Sequence, residues 1–504
     1  MHFSQLMAVV HLLVLLTNQA KSWKIFQKGR SKLGMLGSPA VNISGVELPP
    51  SEWFEQKLDH FNPTKTTTWK QKYYTNSTFY KVGGPVFLLI GGEGAANATW
   101  MVQGSWLDYA AEHNALCFQL EHRFYGDSHP TKDTSVKNLA YLSSEQALAD
   151  AANFIAGMTE KHKLPRGTKW VAFGGSYPGS LAAWLRLKYP HLVHAAVSTS
   201  GPLLALADFG DYFGVVKASL STTGEGCVEA IQNATRQIDL LLRDMVGLNT
   251  MKSLFRLCND VDPDNANDIA NLYVTLADNF AGVVQYNKDN RAFEGAKAAN
   301  VTIDVVCGVM TDASVGPAVR RYARVSNMLL DAYGEKCFDF SYARMLASMR
   351  NTSWGSGGAR QWTYQTCTEF GFFQTSSQKE QVFGDKFPVE FYIQQCSDIF
   401  GRRFDAELLS AGIERTNLMY GALSVDVSNV VFVHGSIDPW HALGITRNTS
   451  SAPAIFIEGT AHCANMYPSL PTDPPQLTAA RSEIGRLIRQ WLDDDLFDPV
   501  ITPV

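Results

Sequence analysis

The chain has 504 residues, 45% hydrophobic and 18% charged, with a formal net charge of −5. That length calls for two to three units of ordinary domain size, and the composition belongs to a folded protein with a large core, which excludes a disordered one. A mildly acidic chain with no basic stripe carries no footprint for nucleic acid.

The opening residues, MHFSQLMAVVHLLVLLTNQAKS, hold an apolar run from Leu6 to Leu16, then Ala20 and Ser22 at the small-residue positions of a cleavage site. Residues 1–22 are expected to be a secretory signal peptide. The run is shorter than the roughly 20 apolar residues that span a bilayer, and no later segment is long and apolar enough to serve as a membrane anchor. The basic stretch WKIFQKGRSKLG begins an amino-terminal arm or removable pro-segment over 23–50.

From Ser51 strand and helix signals alternate. GPVFLLIGGEG and NALCFQLEHRFYG are apolar runs that read as buried strands. SSEQALADAANFIAGMTEKH reads as a helix: Ser143 and Gln146 match a capping box, and Ala147, Ala151, Phe154 and Ile155 form its apolar face. KWVAFGG is the next strand, and HAAVSTSGPL the one after. Strand and helix in alternation imply a parallel sheet covered on both faces. The alternation stops near Asp208, and the text over 208–405 is mostly helical. It resumes over 406–504 with NVVFVHGSIDPW, APAIFIEGTAHC and the helix PPQLTAARSEIGRLIRQWLDD, opened by prolines. Residues 51–207 and 406–504 are therefore expected to be two parts of one α/β unit interrupted by a helical insertion.

Six of the eight cysteines fall in that middle region: Cys227, Cys258, Cys307, Cys337, Cys367 and Cys396. An oxidising compartment lets them pair, in any of fifteen connectivities. Cys117, in a buried strand, and Cys463 are candidates to stay free. Sequons at Asn42, Asn76, Asn97, Asn233, Asn300, Asn351 and Asn448 point to the same compartment, either secreted or lysosomal.

Between the strand KWVAFGG and the helix that follows, GGSYPG places Ser176 at a tight turn. A nucleophile elbow of an α/β hydrolase needs this: the turn lifts Oγ above the sheet edge, the glycines give room, and the helix aims its N-terminal dipole at a developing oxyanion. The spacing departs from G-x-S-x-G, with Pro178 where glycine is usual and Gly179 one place later. The fold demands serine, acid and histidine in that order. Asp438 follows one later strand and His462 the next, whereas His441 shares the loop of Asp438 and would point elsewhere. Ser176, Asp438 and His462 are the expected triad, acting through an acyl-enzyme. The backbone N–H of Tyr177 is the first oxyanion donor, and the loop GGEGAA supplies the second, with Gly92 the candidate. The histidines do not cluster at ligand spacing and the glycine loops lack a dinucleotide or phosphate pattern, so no metal or cofactor is expected.

The segments IGGEG, EHRFYGDS, LSSEQALAD, FGGSYPGSLAAWLRLKYPHL, QTCTEFGFFQTS, DPWHALG and AHCANM follow one another across most of the chain after Ser51. In this the chain resembles the S28 serine peptidase family, its thymus-specific branch most of all. The resemblance implies an α/β-hydrolase fold with an inserted helical, disulfide-bonded cap of the SKS type, and the same triad. It implies pairings Cys227 with Cys307, Cys258 with Cys337, and Cys367 with Cys396. It also implies a serine exopeptidase acting on peptides after proline or a small residue, by dipeptidyl peptidase or carboxypeptidase action, and a homodimer of the kind found in the family. Glu93 is the candidate for receiving a substrate amino terminus, the alternative being a hydrogen-bonded loop carboxylate. Trp440 either packs on the substrate's proline ring or fills the core. Hydrolysis of esters or lipids and a non-catalytic glycoprotein are the competing classes.

Overall fold

The computed structural model describes residues 37–39, 45–288 and 300–494. The expected signal peptide, most of the arm and Asn42 lie outside them.

Eight strands form one sheet in the order β1-β2-β4-β3-β5-β6-β9-β10. They are β1 (Glu52–Lys57), β2 (Thr68–Asn76), β3 (Val86–Ile90), β4 (Leu116–Leu120), β5 (Trp170–Gly175), β6 (Ala195–Thr199), β9 (Val430–Gly435) and β10 (Ala454–Ile457), while β7 (Leu206–Asp208) and β8 (Gly371–Phe373) make a separate parallel pair. From β4 to β10 every pairing is parallel, and β2 runs antiparallel to both β1 and β4. Strands β3, β4, β5, β6 and β9 are buried at every position, as parallel strands covered on both faces should be.

The pairs β1–β2 and β7–β8 were not anticipated. In β1 and β2 polar residues occupy buried places: Gln56 Nε2 donates to Gln71 Oε1 (2.9 Å), and Lys72 Nζ reaches Glu121 (3.0 Å) and Asp127 (2.7 Å). Partners from distant segments make that burial tolerable, so no apolar pattern marks these strands.

Helix α1 (Ser144–Lys161) starts as expected, with Ser143 accepting the Gln146 N–H at 3.2 Å. The reciprocal half of the capping box is replaced, because the Gln146 side chain donates to Asp59 (2.7 Å) and accepts from His60 N–H (3.0 Å). Helix α2 (Tyr177–Lys188) leaves the elbow and packs with α1 on one face of the sheet. The opposite face is covered by α8 (Pro475–Asp493), through Leu477, Ile484, Ile488 and Trp491 against Val171, Phe173, Val431 and Val433.

Between β7 and β9 the chain is largely helical and includes α3 (Asp211–Ser221), α4 (Glu225–Leu241), α5 (Ala266–Gln285), α6 (Ala318–Tyr333) and α7 (Ala406–Tyr420). Disulfides Cys227–Cys307, Cys258–Cys337 and Cys367–Cys396 staple it, the pairings the family resemblance implies, and Cys117 and Cys463 are free and buried. The apolar core of this insertion is continuous with the α1–α2 face. The strand order, the antiparallel β2 and the elbow after β5 make this an α/β-hydrolase fold carrying a disulfide-bonded helical cap.

Candidate active site

At the end of β5, Ser176 takes φ 66° and ψ −138°, a left-handed φ that costs a non-glycine residue on the order of 1–3 kcal/mol. Its neighbours hold it there. Ser176 N–H donates to the Thr199 carbonyl (3.0 Å), and Gly179 N–H donates to the Ser176 carbonyl (2.7 Å). The chain is so tight at this turn that a Cβ on Gly174 would stand 1.9 Å from the Pro178 carbonyl oxygen. Ser176 is thus the N-cap of α2, with the positive end of the helix dipole and the Tyr177 amide beside it. Its Oγ is buried and has no hydrogen-bond partner among the described residues.

Asp438 follows β9 and caps the short turn Pro439–Leu443, Oδ1 accepting the Trp440 N–H at 3.0 Å. His462 follows β10, and its Nδ1 lies 2.9 Å from Asp438 Oδ1, both side chains fully buried. Burial opposes both charges, yet each charge holds the other: the Asp438 carboxyl lies below its usual range, and the His462 imidazole well above. The end of β6 braces both sides of the site. Thr199 holds the elbow through its carbonyl and accepts from Asn465 Nδ2 (3.0 Å) through Oγ1, while Ser200 Oγ accepts the Cys463 N–H (3.0 Å). His441 lies apart, with Nδ1 3.2 Å from the Gly435 carbonyl and its ring edge-on to Phe456.

The glycine loop after β3 meets the elbow at Pro178, where a Cβ on Gly92 would stand 2.3 Å from Pro178 Cγ. Gly92, Glu93, Asn97, Trp100 and Pro178 line a cavity of about 40 Å³, joined by Ser38 of the amino-terminal arm. The neighbouring Gly37 carbonyl accepts from Tyr467 Oη at 2.8 Å. Glu93 is buried within this loop. Behind the loop, Glu121 accepts the N–H groups of Ala96 and Asp127, both at 2.8 Å.

Several contributors went unread in the sequence. The Tyr177 ring is anchored at Oη, which accepts from Gln365 Nε2 (3.0 Å) and lies 3.0 Å from Ser144 Oγ and 3.2 Å from His122 Nε2. Burial depresses the His122 imidazole to about 4. Gln365 Nε2 also donates to Glu369 Oε2 (3.0 Å), and burial pushes the Glu369 carboxyl up to about 7 against that bond and those from Ser144. Gln365 and Glu369 lie in QTCTEF, whose only signal was its place in the family resemblance.

Residues 56–484 match the family model described as Serine carboxypeptidase S28. The chain belongs to the S28 serine peptidase family. It is 35% identical over 461 residues to the thymus-specific serine protease of Mus musculus, covering 89% of this chain and 88% of that one. It is 34% identical over 467 residues to the Homo sapiens thymus-specific serine protease (90% and 88%), and 28% identical over 505 residues to the Homo sapiens lysosomal Pro-X carboxypeptidase (96% and 97%). As an S28 protein it is a serine-type peptidase and takes peptide substrates. Its three disulfides fit a protein of the secretory pathway, and among the described residues no helix is long and apolar enough to cross a membrane.

Proposed function

We propose that the protein is an exopeptidase in which Ser176 is the nucleophile, His462 the general base and then acid, and Asp438 the group that orients the imidazole. The observation that carries this is the buried Asp438–His462 pair, 2.9 Å apart and braced by the end of β6 that also holds the Ser176 elbow. Asp438 raises the proton affinity of His462, which makes the imidazole a better acceptor for the Ser176 proton. Oγ then bonds to the scissile carbonyl carbon, the Tyr177 amide and an amide of the Gly92 loop receive the oxyanion, and the proton on His462 passes to the leaving amine. Water reverses these steps on the acyl-enzyme.

The fold and triad do not choose the peptide end. Glu93, a carboxyl on the loop that lines the cavity beside the elbow, favours capture of a substrate amino terminus and dipeptidyl peptidase action after proline or a small residue. The name of the lysosomal Pro-X carboxypeptidase relative favours the second reading, a carboxypeptidase of the same chemistry. Trp440 is 1% exposed and packs against Phe209, Tyr212 and Phe372, which supports packing over contact with a proline ring. We place the protein in the lysosome or outside the cell, with glycans on the exposed Asn233, Asn300, Asn351 and Asn448.

The deciding experiment offers two matched peptides with proline before the cut, one blocked at its amino end and one at its carboxyl end, to the protein and to Ser176→Ala. Dipeptide release only from the free amino end, lost in the variant, is expected. Release of only the carboxyl-terminal residue establishes the second reading. Cleavage of neither peptide between pH 4 and 8 overturns both.

A further inference from the structure

Gln285 closes α5, a helix buried through the cap core by Leu272, Phe280 and Val284. The last carbonyls of a helix have no partner within it, and the Gln285 carbonyl accepts the backbone N–H of His462 at 3.0 Å. Its side chain is engaged as well: Oε1 accepts from Trp440 Nε1 (3.0 Å) and from Tyr212 Oη (2.8 Å). Gln285, Trp440 and Tyr212 are all buried, so water does not compete for these bonds, and losing the shared acceptor would take a hydrogen bond from each of two buried donors.

These contacts converge on the acid and the base. Trp440 gives its own N–H to Asp438 Oδ1, so the indole held by Gln285 belongs to the residue that helps fix the acid. The Tyr286 ring, next in the chain, meets the His462 imidazole edge-on with centroids 6.2 Å apart. The base therefore sits by the C-terminal end of α5, where the helix dipole favours positive charge. An imidazolium forms there when Ser176 gives up its proton.

We infer that Gln285 is a positioning residue: one side chain of the cap sets the geometry of the acid–base pair, so the cap is a working part of the catalytic apparatus. This rests on the reading of Ser176, Asp438 and His462 as the triad.

The test uses the full secreted protein and a fluorophosphonate probe, so that it does not depend on peptide preference. In labelling, Ser176 Oγ bonds to phosphorus, the P–F bond breaks, fluoride leaves, and the Oγ proton passes to His462. Gln285→Leu keeps the side chain's bulk and removes the acceptor. Its maximal labelling rate is expected to fall at least about tenfold, as misplacement of a catalytic group does, with half-saturating probe concentration changed by less than about twofold. Trp440→Phe should show the same kind of loss, and the double variant should lose little more than Gln285→Leu alone, because that variant already breaks the Gln285–Trp440 contact along with the Tyr212 bond. Full labelling rate in a folded Gln285→Leu, or losses that simply multiply in the double variant, overturns the inference. If Gln285→Leu is not secreted folded, Trp440→Phe alone decides, and an unchanged rate overturns it. Ser176→Ala separates the two levels: labelling that survives it refutes the triad itself, whereas its loss beside a normal Gln285→Leu refutes only the role of Gln285.

Discussion

Glu369 of the cap accepts the Ser144 N–H with both carboxylate oxygens, at 2.9 and 3.2 Å, from 225 positions further along the chain. The first turn of α1 is thus closed by a group that also binds Gln365, which in turn holds the Tyr177 ring next to Ser176. Burial raises this carboxyl from 4.5 to about 7, opposed by Gln365, by Ser144 and by Arg415, which itself pairs with Glu145. Between those two values the folded protein keeps a proton that the unfolded chain releases. Stability from this group is therefore fully present below pH 4.5, is lost as pH rises to 7, and is level above it. The span is on the order of 3 kcal/mol. Glu369→Gln does not titrate, so the stability of the native protein relative to this variant should fall between pH 4.5 and 7.5 in denaturant unfolding. A difference that stays flat or rises sinks the assignment.

Pro178 stands where the usual elbow has glycine, and its ring lies against Gly92. Alanine at position 92 would drive a methyl into Pro178 Cγ and Cδ and push the glycine loop from the elbow. Gly92→Ala should lower kcat/KM on the order of 10²-fold, the scale of a displacement near 1 Å. Pro178→Gly removes both obstructing atoms, so the double variant should recover most of the loss. If the double variant is as slow as Gly92→Ala, the contact is not the cause.

Strands β3, β4, β5, β6 and β9 were legible because parallel strands buried on both faces write themselves as apolar runs, and the edge strand β10 was legible from its apolar run AIFI although Phe456 is exposed. So was the order of Ser176, Asp438 and His462, each at a strand end. Strands β1 and β2 were not, since Gln56, Gln71 and Lys72 are buried only by virtue of partners such as Glu121 that no local pattern announces. Gln285 was hidden for the same reason. A glutamine ending an apolar helix looks like any polar terminus until the chain brings Trp440, 155 residues away, onto its Oε1.

The Cys367–Cys396 bridge, spanning 29 residues, ties helix Val389–Phe400 to the turn Thr366–Phe370 that carries Glu369. Closing a loop of that length removes about 4 kcal/mol of unfolded-chain entropy in the simplest model. Replacing both cysteines by serine should cost about that much in denaturant unfolding, without touching the other two bridges. A loss below about 1 kcal/mol would show that the turn is held by packing alone.

Asp438→Asn offers the strictest test of the acid–base pair. Asparagine keeps the volume, so the fold should survive, but it holds no charge. Because Oδ1 alone serves both Trp440 N–H and His462 Nδ1, an amide nitrogen there presents N–H to the imidazole and gives up the Trp440 contact. The imidazole is then offered the wrong tautomer, and kcat should fall on the order of 10⁴-fold. A second effect follows from the same bond. Burial pulls the His462 imidazole down and Asp438 lifts it, so with the carboxylate gone the ring binds its proton less tightly. The acid limb of residual kcat/KM should therefore move to lower pH. The two effects are independent readouts. A large fall in kcat with an unmoved acid limb would mean that some other group sets that limb. A limb that moves to lower pH without loss of rate would mean that Asp438 tunes His462 while orienting nothing.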